Sequence, residues 1–242
     1  QSLPSLNLVG LHTHLGSPIF ELEPYSEGIG VMLDFAADMI AMHGLKLREF
    51  SPGGGFAIQY VVGAPPPPVA EYARVIVTAL MARLGSLGVA EADWPKLIIE
   101  PGRSTVGRAG VAVYTVGATK NIPGVRKYVS VDGGMADNIR PAIYGSKYEA
   151  LVANKAGEDF SETVTLAGKF CESGDVLIRD YQLPPLVAGD VIAIPASGAY
   201  CLAMASNYNA ALKPPIVMVR DGKSRLIRRR ETFEDLLRCD VD

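Results

Sequence analysis

The chain has 242 residues, 48% of them hydrophobic and 20% charged, an ordinary globular composition with enough apolar material for a sizeable core. A net charge of −3 gives no indication of nucleic-acid binding, and no apolar run reaches the ~18 residues that a membrane span needs. The three cysteines are too few and too scattered for a disulfide framework or a zinc site, which favours a reducing, cytoplasmic setting.

The first part of the chain alternates predicted strands and helices. Apolar runs predict strands over 6–16, 45–56 and 96–104, and helical spacing of apolar residues predicts helices over 28–44 and 69–85. This rhythm is typical of a parallel α/β layer or barrel. Three strands are too few for a whole (β/α)8 barrel of ~250 residues. The segment is therefore either a small covered layer or the end of a larger barrel.

The rhythm changes near residue 105. Strands separated by Gly, Pro, Asn and Asp turns follow, which predicts a β-rich, mainly antiparallel domain. We therefore expect two domains, an α/β domain over 1–105 and a β domain over 106–242. The basic run 223–230 is expected to be a solvated last strand, and 207–212 a loop or brief helix. The predicted strands of this part are 109–121, 126–134, 161–170, 190–200 and 214–229.

Polar groups follow each strand of the first part. The stretch "HTHLGS" places His12 and His14 on one face of a strand, where a metal could bind or where the histidines simply pack. No third ligand is evident, so no metal site is expected. "SPGGGF" (51–56) is either a flexible turn or a close approach of backbone N–H groups to an anion. In "EPGRS" (100–104), a carboxylate could face a ring nitrogen and an arginine could hold a phosphate or carboxylate; the alternative is an exposed turn.

The β-rich part contains further unusual stretches. "KFCESGDVL" (169–177) places a thiol, two carboxylates and a hydroxyl within five positions. "VDGGMADNIRPAIYGSKYE" (131–149) carries Arg140 and Tyr144, and "ASGAY" (196–200) ends in Tyr200. Each stretch is weak evidence when taken alone.

Together these stretches resemble a known family. H-T-H-L-G-S, G-G-G-F, E-P-G-R-S, D-G-G-M-x-D-x-I-R-P-A-x-Y, C-E-S-G-D and G-A-Y occur in family order within residues 12–209. The set resembles the fold-type-III, pyridoxal-phosphate-dependent decarboxylases of basic amino acids, and among them the diaminopimelate decarboxylase family. The resemblance implies a (β/α)8 barrel followed by a β-domain, with residues 1–105 supplying about three barrel strands.

The resemblance also implies roles for individual residues. The thiol of Cys171 would be the proton donor, a role that an S–H group can fill as a general acid. The family loop with this thiol reaches across a homodimer interface, so each active site would be shared. Pyridoxal 5'-phosphate would be held by His14, Ser17, Gly54, Gly55, Glu100, Pro101, Gly102, Arg103 and Tyr200. The amino-acid substrate would be held by Arg103, Arg140, Tyr144, Glu172 and Tyr200.

The expected substrate is meso-2,6-diaminopimelate, which would give L-lysine and CO2. Its distal end carries an ammonium and a carboxylate, and Glu172 with Arg103 and Arg140 supplies a partner for each. Two alternatives stay open. The chain could be a non-catalytic binding or regulatory homologue, or a decarboxylase for ornithine, arginine or carboxynorspermidine.

One departure concerns the lysine that holds the cofactor. The family carries it upstream of the H-T-H-L-G-S motif, whereas all nine lysines of this chain follow that motif. Lys155, in "VANKAG", is interpreted as a surface residue. We therefore expect residues 1–242 to be the C-terminal part of a longer enzyme whose N-terminal barrel segment is missing here, and to be inactive alone.

Overall fold

The first three strands form a parallel sheet. The computed structural model describes residues 3–241, and its first sheet has the order β1 (Gly10–His12), β2 (Glu49–Ser51), β3 (Lys96–Leu97). The strands are shorter than predicted, but their parallel pairing confirms the α/β layer. Because all three run the same way, the residues that follow them meet at one edge of the sheet.

Two helices accompany this sheet, α1 (Glu23–His43) and α2 (Val69–Ser86). Helix α1 begins before the predicted residue 28, since Pro24 is compatible with a first helical turn. It ends as predicted at Gly44, whose left-handed backbone forms the C-terminal cap. Each helix buries one stripe of side chains that recur every three or four residues. These are Tyr25, Ile29, Leu33 and Ala36 in α1, and Tyr72, Ile76, Leu80 and Leu84 in α2.

The chain folds as two compact units. The first contains the residues up to Gln59 and Ala64–Thr105, and the second contains Tyr60–Gly63 and the chain from Val106 onward. Each unit has its own apolar cluster of buried side chains. The core of the first unit is formed by the two helix stripes with Phe50 and Phe56.

The second unit is built on a six-stranded sheet. Four of its neighbouring pairs are antiparallel, as predicted, and β5 pairs with β7 in parallel. The predicted strands did not include β8. In the order β6-β9-β4-β5-β7-β8, the strands are Leu151–Val152, Val191–Ile194, Ala112–Ile122, Arg126–Val131, Glu162–Ala167 and Val176–Leu183. Two short helices carry expected site arginines: α4 (Arg140–Tyr144) in this unit, and α3 (Gly102–Val106), whose Arg103 belongs to the first unit.

A separate hairpin follows the sheet. Strands β10 (Ile216–Arg220) and β11 (Lys223–Arg228) are joined by Asp221-Gly222, a pair suited to the positive φ angles of a tight turn. Every residue of β11 is exposed, which confirms the predicted solvated strand. A last helix, α5 (Phe233–Leu237), starts at a capping box formed by Thr232 and Asp235. None of the helices within residues 3–241 is long and apolar enough to cross a membrane.

Lys155, expected to be a surface residue, is only partly exposed. Its side chain is only 18% exposed and its Nζ lies 2.8 Å from the carboxylate of Asp190, which is 4% exposed. The ammonium also donates a hydrogen bond to the carbonyl of Pro185. A lysine at this position therefore neutralises a buried carboxylate.

Candidate active site

Three side chains meet at the carboxyl edge of the parallel sheet. His12 ends β1 opposite Ser51, the last residue of β2, and Glu100 follows β3. His12 Nε2 lies 3.0 Å from Glu100 Oε1, and Ser51 Oγ donates to the same oxygen over 3.3 Å. These two contacts orient one carboxylate oxygen. His12 and His14 do not share a strand face as predicted, because β1 ends at His12.

The glycine turn lies beside this carboxylate. Gly54 forms an isolated parallel bridge with Glu100, and a Cβ on Gly54 would lie 2.1 Å from the Glu100 carbonyl oxygen. Only glycine allows so close an approach of the two backbones. The Gly54 N–H donates to His14 Nδ1 at 3.3 Å, and the Tyr25 hydroxyl donates to the Gly54 carbonyl at 2.6 Å. The turn is therefore fixed from both sides, which argues against a flexible loop.

Arg103 brings a cation to the same unit. It lies in α3, directly after Pro101 and Gly102, and is only 6% exposed. Its Nη2 and Nε donate to Ser17 Oγ over 3.0 and 3.3 Å. A hydroxyl, a guanidinium, an imidazole and a carboxylate thus come from adjacent segments of one unit. This donor set fits a phosphorylated pyridine, since it offers donors to an anionic phosphate and an acceptor to a protonated ring nitrogen.

The second unit contains a different arginine site. Arg140 begins α4, is 5% exposed, and donates to the hydroxyls of Tyr60 and Tyr148 over 3.0 and 3.1 Å. Its guanidinium carbon lies 5.4 Å from the ring centre of Tyr60, 5.9 Å from that of Tyr144 and 5.8 Å from that of Tyr200. Across residues 3–241, no carboxylate forms an ion pair with Arg140.

Buried phenol and thiol groups support this arginine. Burial raises the pKa of Tyr148 above its usual value, with a smaller contribution from Cys201, so the phenol stays neutral. The Tyr148 hydroxyl lies 3.7 Å from the Cys201 sulfur, whose pKa burial also raises. By contrast, Tyr144 and Tyr200 are 65% and 41% exposed and leave one side of the site open.

The C-E-S-G-D segment is a loop between β7 and β8. Cys171 and Glu172 are both exposed, and Cys171 borders an open cavity of about 550 Å³ within the second unit. Glu172 accepts weak bonds from its own loop, at 3.4 Å from the Gly174 N–H and 3.4 Å from the Ser173 hydroxyl. Its carboxylate is therefore not committed to a cation inside the described part of the chain.

The expected site residues thus fall into three groups. The first unit contains His14, Ser17, Gly54, Gly55, Glu100, Pro101, Gly102 and Arg103. In the second unit, the rings of Tyr144 and Tyr200 lie beside the guanidinium of Arg140. Cys171 and Glu172 share the loop between β7 and β8. Between residues 3 and 241, no group of three His, Cys, Asp or Glu side chains could hold a metal ion.

Comparison with known proteins decides the family. A family model described as "Pyridoxal-dependent decarboxylase, C-terminal sheet domain" matches residues 25–198. The chain belongs to the pyridoxal-dependent decarboxylase family. It is 44% identical over 98% of its length to a diaminopimelate decarboxylase of Synechocystis and, again over 98%, 44% identical to one of Bacillus subtilis.

Solved structures of this decarboxylase family extend the likeness to the fold. The diaminopimelate decarboxylase of M. jannaschii in complex with L-lysine is 35% identical, with a TM-score of 0.88 over 98% of this chain. The match includes 52% of that structure, and 50% and 53% of the Synechocystis and Bacillus subtilis relatives. The chain therefore spans about half the length of the relatives it matches.

The sequence analysis did not assign several residues that contact the candidate site. Ser51 could have been found, because it ends a strand whose two neighbours are followed by the expected site residues His14 and Glu100. His12 was considered only as a metal ligand or packing residue. Tyr148 lies in the quoted stretch 131–149 but was given no role, whereas Tyr60 stands in no motif and only the fold brings its hydroxyl to Arg140.

Proposed function

We propose that this chain supplies part of the active site of a pyridoxal-phosphate-dependent decarboxylase that converts meso-2,6-diaminopimelate to L-lysine and CO2. The observation that carries the proposal is the environment of Arg140. Its buried guanidinium is surrounded by phenols and has no carboxylate partner within residues 3–241. A buried charge is costly unless it is paired, so the site favours a ligand with a carboxylate.

The groups of the first unit would hold the cofactor. Arg103 and Ser17 offer donors to a phosphate, and His14, whose Nδ1 accepts from the Gly54 N–H, offers an imidazole face to the ring. Glu100 would hold a proton at the ring nitrogen, with its orientation set by His12 and Ser51. When bound, pyridoxal phosphate supplies a sink for the electron pair that the departing CO2 leaves at Cα.

The groups of the second unit would bind the substrate and return the proton. Arg140 and Tyr144 would orient a substrate carboxylate, while Glu172 would pair with the distal ammonium. Cys171 Sγ would deliver a proton to the substrate Cα after CO2 has left. An arginine and a glutamate together suit a distal end that carries both charges, which diaminopimelate has and ornithine lacks.

The cofactor lysine and the proton donor of each complete active site would come from outside this chain's own residues 1–242. The family resemblance places the cofactor lysine in a barrel segment that precedes the H-T-H-L-G-S motif. It also places Cys171 and Glu172 in the active site of a second subunit of a homodimer. We propose that the chain works with both, and that residues 1–242 alone do not decarboxylate diaminopimelate.

The test uses an enzyme assembled from two parts. The joined enzyme is residues 1–242 fused behind the part of the Bacillus subtilis relative that this chain does not span. Its CO2 release is measured with meso-diaminopimelate, ornithine, arginine and carboxynorspermidine, and the chain alone serves as the comparison. We expect release from diaminopimelate by the joined enzyme only.

Two results would contradict the proposal. Preferential release from another substrate would make the chain part of a different decarboxylase. A joined enzyme that is folded, shown by circular dichroism, and binds pyridoxal phosphate, shown by its absorbance, but releases CO2 from none of the four would favour the non-catalytic homologue.

A further inference from the structure

The last residue of C-E-S-G-D differs from the others in its surroundings. Cys171, Glu172 and Ser173 are exposed, whereas Asp175 is only 3% exposed. A carboxylate is rarely buried to this extent unless its oxygens accept hydrogen bonds. The role proposed above for Cys171 and Glu172 does not use Asp175.

The Asp175 carboxylate joins two segments of the second unit. Its Oδ2 accepts from the Phe170 N–H at 2.8 Å, within its own loop. Its Oδ1 accepts from the Met135 N–H at 2.6 Å, in the turn that leads into α4. One side chain therefore binds the backbone on both sides of the gap between the thiol loop and the Arg140 segment.

Glycine leaves the space that this carboxylate fills. A Cβ on Gly168 would lie 2.1 Å from Asp175 Oδ2, which is too close for any side chain. The backbone adds two further ties, from Gly168 N–H to the Asp175 carbonyl at 2.9 Å and from Lys169 N–H to the Gly133 carbonyl at 3.1 Å. The loop and the turn are thus built around the carboxylate.

Local hydrogen bonds offset part of the cost of burying the carboxylates of this cluster. Burial raises the pKa of Asp175, and its two N–H donors and Lys169 act in the opposite direction. Asp137, whose pKa burial also raises, accepts from the Gly134 N–H in the same turn at 3.2 Å. Burial remains the larger effect on the pKa of Asp175, and the neighbouring amides offset part of it, as is usual for a buried acceptor.

We infer that Asp175 is a positioning residue that latches the Cys171–Glu172 loop to the turn preceding Arg140. In this arrangement the loop that would present Cys171 and Glu172 to a second subunit is held in a fixed position against the segment that carries Arg140. At Gly174, in the same loop, a Cβ would lie 3.8 Å from Ala142 Cβ of α4, so the latched loop also lies against the helix that carries Arg140 and Tyr144. The functional meaning of the latch rests on the proposed function, but its existence does not.

The test uses the 242-residue chain and two variants that disturb the latch from opposite sides. Asp175→Asn keeps the shape but turns an N–H donor toward a backbone N–H, and Gly168→Ala drives a methyl group into the intact carboxylate. Ser173→Ala, an exposed change in the same loop, is the matched control. Amide exchange is followed residue by residue by NMR, and alkylation of the three cysteines by mass spectrometry.

The latch predicts a local result. In both variants the Met135 and Phe170 amides should exchange about tenfold faster or more, as expected when a hydrogen bond to a charged group is lost. Cys171 should be alkylated faster relative to exposed Cys239, while buried Cys201 and the core amides of Val129 and Leu166 keep their protection. In the joined enzyme, Asp175→Asn should lower kcat more than it raises KM, which a purely structural role would not do selectively.

Two outcomes would overturn the inference. Unchanged exchange at Met135 and Phe170 would show that the carboxylate latches nothing. Loss of protection at Cys201 and at the core amides in both variants would show that Asp175 supports the whole unit instead. Neither outcome depends on decarboxylation, so a failure here is distinguishable from a failure of the proposed function.

Discussion

Buried charges determine what single residues can tolerate in this chain. Asp190 is 3% exposed and accepts from Asn154 Nδ2, Lys155 Nζ and the Val187 N–H, each within 2.9 Å. Burial alone would raise the pKa of Asp190, but these hydrogen bonds outweigh burial and lower the pKa to about 2. The carboxylate is therefore stable only while its donors are in place.

Replacing the lysine should expose this dependence. Lys155→Met keeps the length of the side chain but leaves the Asp190 carboxylate buried without its cation. We expect the free energy of unfolding to fall by about 3 kcal/mol, the usual cost of breaking a buried ion pair. Urea unfolding measures it, with Lys120→Met, at an exposed position of β4, as the control. Equal stabilities of the two variants would contradict a stabilising ion pair between Lys155 and Asp190.

The same pair predicts a pH dependence. Because the folded pKa of Asp190 is lower than its unfolded value of ~3.9, its contribution to stability is complete above that value. The contribution should be lost as the pH falls through ~3.9 toward the folded pKa of about 2. Unfolding free energies between pH 5 and pH 2 should fall less steeply for Asp190→Asn than for the unchanged chain. Parallel curves would count against this account.

Residues with local signals could be predicted, and residues placed by the fold could not. Glu100, Arg103 and Cys171 stand in motifs, so their positions at a strand end, a turn and a loop were open to prediction. Lys155 and Asp190 are 35 residues apart, and only the sheet brings them together. The same holds for Tyr60 and Arg140, which are 80 positions apart. No spacing rule covers such distances.

At the scale of elements, each long helix depends on one buried stripe. Leu33 of α1 is 1% exposed, whereas Val31, two positions earlier, is 69% exposed. Leu33→Ala should lower the free energy of unfolding by about 2–5 kcal/mol because it removes apolar contacts and leaves a cavity. Val31→Ala should change it by less than about 0.5 kcal/mol, as expected for a surface substitution. If thermal or urea unfolding showed similar losses of stability in the two variants, Leu33 would not belong to the buried stripe of α1.

The same scale shows why helices were easier to predict than strands. Helix α1 has regular spacing and a terminal glycine, and its end at Gly44 is confirmed. Strand β8 was missed because its sequence does not alternate. Leu177 and Ile178 are both buried, and Asp180 has a positive φ of 48° where the pairing with β7 is irregular. The parallel pairing of β5 with β7 requires a crossover, which periodicity does not reveal.

At the scale of the whole molecule, the proposal predicts shared active sites. A joined enzyme carrying Cys171→Ala and a joined enzyme without its cofactor lysine should each be nearly inactive. When they are mixed under conditions that exchange subunits, a heterodimer would combine one intact lysine with the other subunit's thiol. CO2 release should therefore return. Subunit exchange, confirmed by native mass spectrometry, without return of activity would mean that Cys171 acts within its own subunit.

The most direct test of the account is the turnover of meso-diaminopimelate by the joined enzyme with and without the Cys171 thiol. Cys171→Ala should leave the absorbance and affinity of bound pyridoxal phosphate unchanged, because the groups assigned to the cofactor lie elsewhere. CO2 release should fall by roughly 10²–10⁴, the range expected when a general acid is removed. Turnover at the unchanged rate would mean that the thiol does not return the proton, and it would contradict the role given to this loop.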